Sequence, residues 1–149
     1  MQLNDSELLA YLAGFFDGEG CIMITKRNTR NRYYLRLHCC NTHEEPLLLF
    51  ARLFGGTVQK RRPFGASNLP SFYWQASYRY AQKALIALTP YLIVKKTRAE
   101  LALEFCTIKP RVKSPTLTDD ILAQKKIGDD IRLLNRTWNT RSKEPDRLR

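Results

Sequence analysis

At 149 residues, 44% hydrophobic and 26% charged, the chain has the size of a single domain with a full core. Lys and Arg number 25 against 14 Asp and Glu, a formal charge of +11, and between Cys21 and Ala99 there are 14 basic residues but only two acids, Glu44 and Glu45. Such a surface suits a polyanion, no apolar run approaches the roughly 20 residues of a bilayer span, and Met1-Gln2-Leu3-Asn4-Asp5 lacks a signal peptide's basic start and apolar run. A nucleic acid is the expected partner, with no membrane association.

Asn4 and Glu7 stand in capping-box spacing, and Leu8, Leu9, Leu12, Phe15 and Phe16 recur at helical intervals, which predicts a helix over 6–17 ended by Gly18 and Gly20. Strands follow at Cys21–Lys26 and Tyr33–Asn41. In the second, Leu35, Leu37 and Cys39 alternate with Tyr34, Arg36 and His38, so one face is apolar and the other is free for a ligand. Pro46–Phe54 reads as a helix stopped by Gly55-Gly56. Thr57–Arg61 and Phe72–Arg79 read as a hairpin, and which face Trp74 takes is open at this level. Helices are expected at Ala81–Leu88, before Pro90, and at Lys96–Thr107. A Pro- and Lys-bearing linker (Lys109–Pro115) leads to a last helix over Thr118–Leu134, then a polar, basic tail. Cys21, Cys39, Cys40 and Cys106 form no Cys-x-x-Cys pair, and Cys40 with His43 has no second ligand pair, so reduced thiols in an intracellular protein are expected.

The order helix, two strands, helix, two strands, helices predicts an α+β fold, an antiparallel four-stranded sheet covered by helices on one face. Two residues of the first helix break local rules. Glycine at 14 costs about 1 kcal/mol relative to alanine in a helix interior, and Asp17 lies at the negative end of the helix dipole. Ala10, Gly14 and Gly18, four apart, make a small-residue stripe that admits another helix backbone.

The stretch Leu12-Ala13-Gly14-Phe15-Phe16-Asp17-Gly18-Glu19-Gly20 resembles the signature of the LAGLIDADG homing endonucleases, and Pro90-Tyr91-Leu92-Ile93-Val94-Lys95 resembles a second segment of that family. The likeness covers about residues 5–143. It implies a single endonuclease domain over 1–135, with 136–149 a basic tail. It implies a homodimer joined through Ala10, Ala13, Gly14, Asp17 and Gly18, with Glu19 and the Gly18 carbonyl holding Mg²⁺ or Mn²⁺. Catalysis would fall to Glu19, to Asn41 as the residue orienting water, and to Lys95 (Lys96 the fallback) facing developing negative charge. The sheet would lie in the major groove, with Arg27, Arg32, Arg36, His38, Gln59 and Arg61 reading bases. Lys109, Lys113, Thr137, Arg141 and Lys143 would meet phosphates. The implied activity is metal-dependent double-strand cleavage at a long pseudo-palindromic site. An RNA maturase of the same fold, which would bind RNA, and an inactive DNA-binding regulator are the alternatives. The implied setting is an organelle (chloroplast or mitochondrion), a bacterium or a phage.

Overall fold

A computed structural model describes residues 4–27, 32–62, 70–109 and 118–141, the side chains of 138–141 excepted. Lys113, Lys143 and the Arg141 side chain, all expected phosphate contacts, lie outside the described residues.

Helix α1 spans Asp5–Glu19. The capping box forms as its spacing requires: Asn4 Oδ1 accepts the Glu7 N–H at 2.9 Å, and Glu7 Oε2 accepts the Asn4 N–H at 2.8 Å. The helix does not stop at Gly18. It runs on to Glu19 and closes at Gly20, whose N–H reaches the Phe16 carbonyl. A side chain at Gly20 would collide with the Phe16 ring, so close approach dictates glycine there.

Strand β1 (Gly20–Arg27) pairs antiparallel with β2 (Arg32–Asn41), from Gly20 opposite Cys39 to Arg27 opposite Arg32. Helix α2 (Glu45–Phe54) leads to β3 (Thr57–Arg61) and β4 (Ser71–Ser77). The strand order is β1-β2-β4-β3. Helix α3 (Arg79–Leu88), a 3-10 turn at Thr89–Tyr91, α4 (Lys96–Thr107) and α5 (Asp119–Arg141) complete the chain.

Register decides the faces. Ile22 lies opposite Leu37, Leu37 opposite Ala76, and Cys39 opposite Trp74, so these share one face, and all are buried. Against them pack Leu12, Phe16, Leu47, Phe50, Leu85, Leu88, Ala99 and Ala102 from the helices. Trp74 therefore belongs to the core: its ring lies 4.9 Å from that of Phe50, and its indole N–H donates to the Gly55 carbonyl at 2.9 Å. A buried aromatic with its single donor satisfied is worth about 3–5 kcal/mol against alanine.

Helix α5 packs on both β1 and α4, with Ile121, Gln124, Ile127 and Ile131 buried and Gln124 Nε2 donating to the Ile108 carbonyl just past α4 at 2.8 Å. Gly128 lets it come close, since a Cβ there would lie 3.2 Å from Ile24. The helix continues past Leu134 to Arg141. Asn135, one turn beyond Ile131, donates from Nδ2 to the Ile22 carbonyl at 3.1 Å and ties the helix to the sheet.

Candidate active site and nucleic-acid interface

Two acids end α1, and the structure gives them different work. Asp17 turns back onto its own chain. Its Oδ2 accepts the N–H groups of Ile93 (2.7 Å) and Val94 (3.0 Å), and its Oδ1 accepts that of Lys95 (2.9 Å). These donors lead into α4, whose N-terminus has no other side-chain cap. A carboxylate at the positive end of a helix dipole is favoured, which resolves the conflict Asp17 has with its own helix. Glu19, by contrast, is exposed, and its carboxylate has no hydrogen bond or ion pair among the described residues.

Lys95 is 7% exposed, and its ammonium donates to the Asp17 main-chain carbonyl at the end of α1. Lys96, the fallback, is exposed. Burial pushes the Lys95 ammonium below its usual range, and the neighbouring Arg98 pushes it further, against the pull of Asp17. Arg98 is itself 9% exposed, and its partner is the neutral Asn135, with Nη1 donating to Oδ1 at 3.2 Å. Two cations thus share a buried position beside the carbonyl end of α1. Sequence reasoning missed Arg98 and Asn135. The first follows Lys95 by one helical turn, a spacing that could have drawn attention to it; the second carried no signal.

Asn41 ends β2 two residues beyond the Gly20–Cys39 pair, which sets it beside the end of α1. Its Oδ1 accepts the His43 N–H at 2.9 Å, closing the turn into α2, so the amide nitrogen is what remains for a water.

The face of the sheet away from the helices carries every expected base reader. Met23 lies opposite Arg36, Cys21 opposite His38 and Arg27 opposite Arg32; His38 lies opposite Gln75, Gln75 opposite Thr57, Gln59 opposite Tyr73 and Arg61 opposite Ser71. Arg27, Arg32, Arg36, His38, Gln59 and Arg61 therefore share one open face, from β1, β2 and β3. The side chains are pre-ordered: Arg36 donates to Gln75 Oε1, the Tyr73 hydroxyl donates to Gln59 Oε1, and the Arg61 guanidinium sits 4.8 Å from the Tyr73 ring centre. Tyr73 and Gln75 were absent from the expected set, although burying Trp74 forces both of its neighbours outward. Partial burial, with Arg36 and Arg61 nearby, pushes His38 below the usual histidine range. The expected phosphate contacts Lys109 and Thr137 are exposed, and the Thr137 hydroxyl donates to the Leu134 carbonyl at 3.1 Å.

Two of the expected dimer residues are engaged within the protomer itself. Ala13 is fully buried with Leu12 and Phe16 in the protomer's own core, because it sits about 100° around the helix from Gly14. Asp17 spends its carboxylate on the N–H groups of its own chain. Ala10, Gly14 and Gly18 remain exposed, and a Cβ at either glycine would meet nothing within 4 Å.

Glu19 and the Gly18 carbonyl offer oxygen donors, the set a hard divalent cation takes. No group of three or more His, Cys, Asp or Glu residues suited to a metal exists among the described residues. One chain thus contributes only part of a coordination shell, and phosphate oxygens, water or a second copy must supply the rest. Burial raises the Cys21 and Cys39 thiols above their ordinary values, and a hard cation prefers oxygen donors to thiols in any case. The residues present fit Mg²⁺ or Mn²⁺ in that partial sense.

Residues 12–100 match the family model described as LAGLIDADG endonuclease. The DNA endonuclease I-CvuI of Chlorella vulgaris is 30% identical over 134 residues, 84% of this chain and 80% of the relative. The crystal structure of the homing endonuclease I-CvuI in complex with its target in the presence of Ca superposes with a TM-score of 0.71 at 27% identity, covering 87% of this chain and 83% of that one. An archaeal intron-encoded homing endonuclease, I-Vdi141I, complexed with DNA, shares the fold at a TM-score of 0.65 and 18% identity over 85% of this chain and 82% of its own.

Proposed function

The chain belongs to the LAGLIDADG endonuclease family, and from that premise we propose that it cleaves double-stranded DNA at a long pseudo-palindromic site, as a homodimer dependent on Mg²⁺ or Mn²⁺. The observation that carries this reading is the end of α1. There an exposed carboxylate, Glu19, without a partner among the described residues, adjoins an exposed helix face of small residues and lies close to the buried Lys95 at the end of α1. One chain brings one such acid, and a duplex has two strands to cut. A two-fold dimer crossing at Ala10, Gly14 and Gly18 brings two acids together and matches a target with two-fold symmetry.

When bound, a divalent cation supplies electrophilic activation of the phosphodiester. The chain's own residues do the remaining work. Glu19 and the Gly18 carbonyl hold the cation. Asn41 offers its amide nitrogen to a water. Lys95 holds a proton beside the site where charge develops, and its buried setting strengthens that interaction. Asp17, by capping α4, fixes the main chain from which Lys95 departs. The open sheet face lies in the major groove, where arginine pairs with guanine and glutamine with adenine. I-CvuI was crystallised with its target in the presence of Ca, and with the I-CreI target in the presence of Mg, where the DNA is not cleaved; both complexes were formed with a divalent cation, which is consistent with the cation proposed here.

Glu19→Gln tests the reading. Target duplex should still bind, while Mg²⁺-dependent cleavage is abolished. Equal cutting by wild type and variant would remove Glu19 from the reaction.

A further inference from the structure

Beyond the end of β4 the sheet face runs into a groove of about 710 Å³, opposite the end that carries Glu19. Gly55 and Gly56, at φ +83° and +91°, make room for it: a side chain at Gly55 would strike the Tyr80 ring, which lies across that position. Thr57, Gln75 and Ser77 line one side and belong to the open face of the sheet, so the groove continues the surface assigned to DNA. Tyr78, Arg79 and Tyr80 line the other. The lining presents hydroxyls, an amide and a guanidinium, and it contains no carboxylate.

Arg79 is already oriented. Its guanidinium carbon lies 4.8 Å from the Tyr80 ring centre, and Nη2 donates to the Tyr80 hydroxyl at 2.9 Å, leaving its other N–H groups for an acceptor. Tyr78 is the unusual residue. It takes φ +53° and ψ −125°, a region that costs a bulky L side chain of order 1–3 kcal/mol. The ring so placed is not core: it is 55% exposed and stacks on Tyr34 with 5.1 Å between centres, at the rim of the same face.

We propose that this groove holds a phosphodiester of the bound duplex outside the stretch read by the sheet, with Arg79 as its cationic contact and Tyr78 as the wall that positions it. A planar guanidinium ringed by hydroxyls matches phosphate oxygens. The contact sets register on the duplex and carries no sequence information. The inference rests on the proposed DNA-binding function and adds a site to it.

The test measures target and unrelated duplex binding for wild type, Arg79→Gln and Tyr78→Gly across a range of salt, with thermal midpoints of the free proteins. Arg79→Gln should weaken both duplexes by the same factor, roughly 10-fold, and reduce the slope of log K against log salt by about 0.9, one phosphate's worth. Tyr78→Gly relaxes the backbone, so its midpoint should hold or rise while binding weakens. An unchanged salt slope in Arg79→Gln overturns the proposal. So does a Tyr78→Gly variant that loses stability and keeps wild-type affinity, the signature of a purely structural residue. If wild type itself binds neither duplex, the functional reading fails before the groove is tested.

Discussion

Asp17 and Lys95, 78 positions apart, are joined twice: Asp17 Oδ1 accepts the Lys95 main-chain N–H, and the Asp17 carbonyl accepts the Lys95 ammonium. The end of α1 and the start of α4 are therefore one structural unit. Its acid is spent on the fold, and its lysine is held against the end of α1. Three N–H groups depend on that single carboxylate. Asp17→Ala should cost about 1–3 kcal/mol of unfolding free energy, and Asp17→Asn less, because an amide oxygen still accepts. Urea denaturation without metal or DNA measures this. Loss of activity in Asp17→Ala at unchanged stability would instead place Asp17 among the reacting groups.

The Lys95 main-chain N–H stays bonded to Asp17 whatever the side chain, so Lys95→Met removes the ammonium and its bond to the Asp17 carbonyl but keeps that anchor. Lys95→Met should lower the single-turnover cleavage rate by about 10²–10⁴-fold, with duplex affinity within about twofold of wild type. Lys96→Met, at an exposed neighbour, should cleave at close to the wild-type rate. A reversal of the two would move the role to Lys96.

The Arg98 guanidinium is buried beside Lys95 with a neutral partner, so Asn135 is what satisfies it. Asn135→Leu removes the acceptor for Arg98 and the donor to Ile22, and should destabilise the protein by about 1–3 kcal/mol. The cost belongs chiefly to the stranded donor, so Arg98→Met combined with Asn135→Leu should be less unstable than the two single costs added. Strict additivity in that double-mutant cycle would show that the pair is not coupled.

His38 lies below an unfolded histidine in its proton affinity, through burial first and then Arg36 and Arg61. Between its folded value and the unfolded one near 6.5, the unfolded chain holds a proton that the native chain lacks. Its contribution to stability is then complete above pH 6.5, falls as pH drops toward the folded value, and is flat below. The side chain is only partly buried, so the effect should stay under about 1 kcal/mol. Urea midpoints of wild type and His38→Gln, compared between about pH 5 and 8, should converge as the pH falls if this is right and run parallel if His38 titrates normally.

Which parts were legible in the sequence follows from how local each signal is. The capping box at Asn4 and Glu7, the stop at Gly55-Gly56 and the Lys96–Thr107 helix depend on neighbours a few residues away, and the structure keeps them. The reader face was legible in β2, where alternation is clean. In β4, Phe72, Tyr73 and Trp74 are consecutive aromatics, and only pairing with Cys39 and Val58 settles that Trp74 points inward. Asp17 could be recognised as an anomaly but not explained, because the N–H groups that satisfy it lie at the other end of a long-range contact. A motif read as one string also hides that its small residues occupy two sides of a helix, Ala13 buried and Gly14 exposed. Arg98 and Asn135 meet only once α5 has docked, which no local pattern foretells.

The small-residue stripe supports the last prediction. Within one protomer a Cβ at Gly14 meets nothing within 4 Å, so the protomer's packing gives no reason for glycine there. Glycine in a helix interior is less stable than alanine by about 0.5–1 kcal/mol, and that cost calls for a compensating contact outside the chain. If a second α1 crosses at Ala10, Gly14 and Gly18, added bulk must separate the two backbones. Gly14→Leu should then leave the helical circular dichroism intact, sediment as a folded monomer where wild type sediments as a dimer, and lose double-strand cleavage. Gly14→Ala should show a weaker form of the same defect. A Gly14→Leu protein that dimerises as tightly as wild type would mean that the chains meet through some other surface, and that the two Glu19 carboxylates are not brought together by this helix.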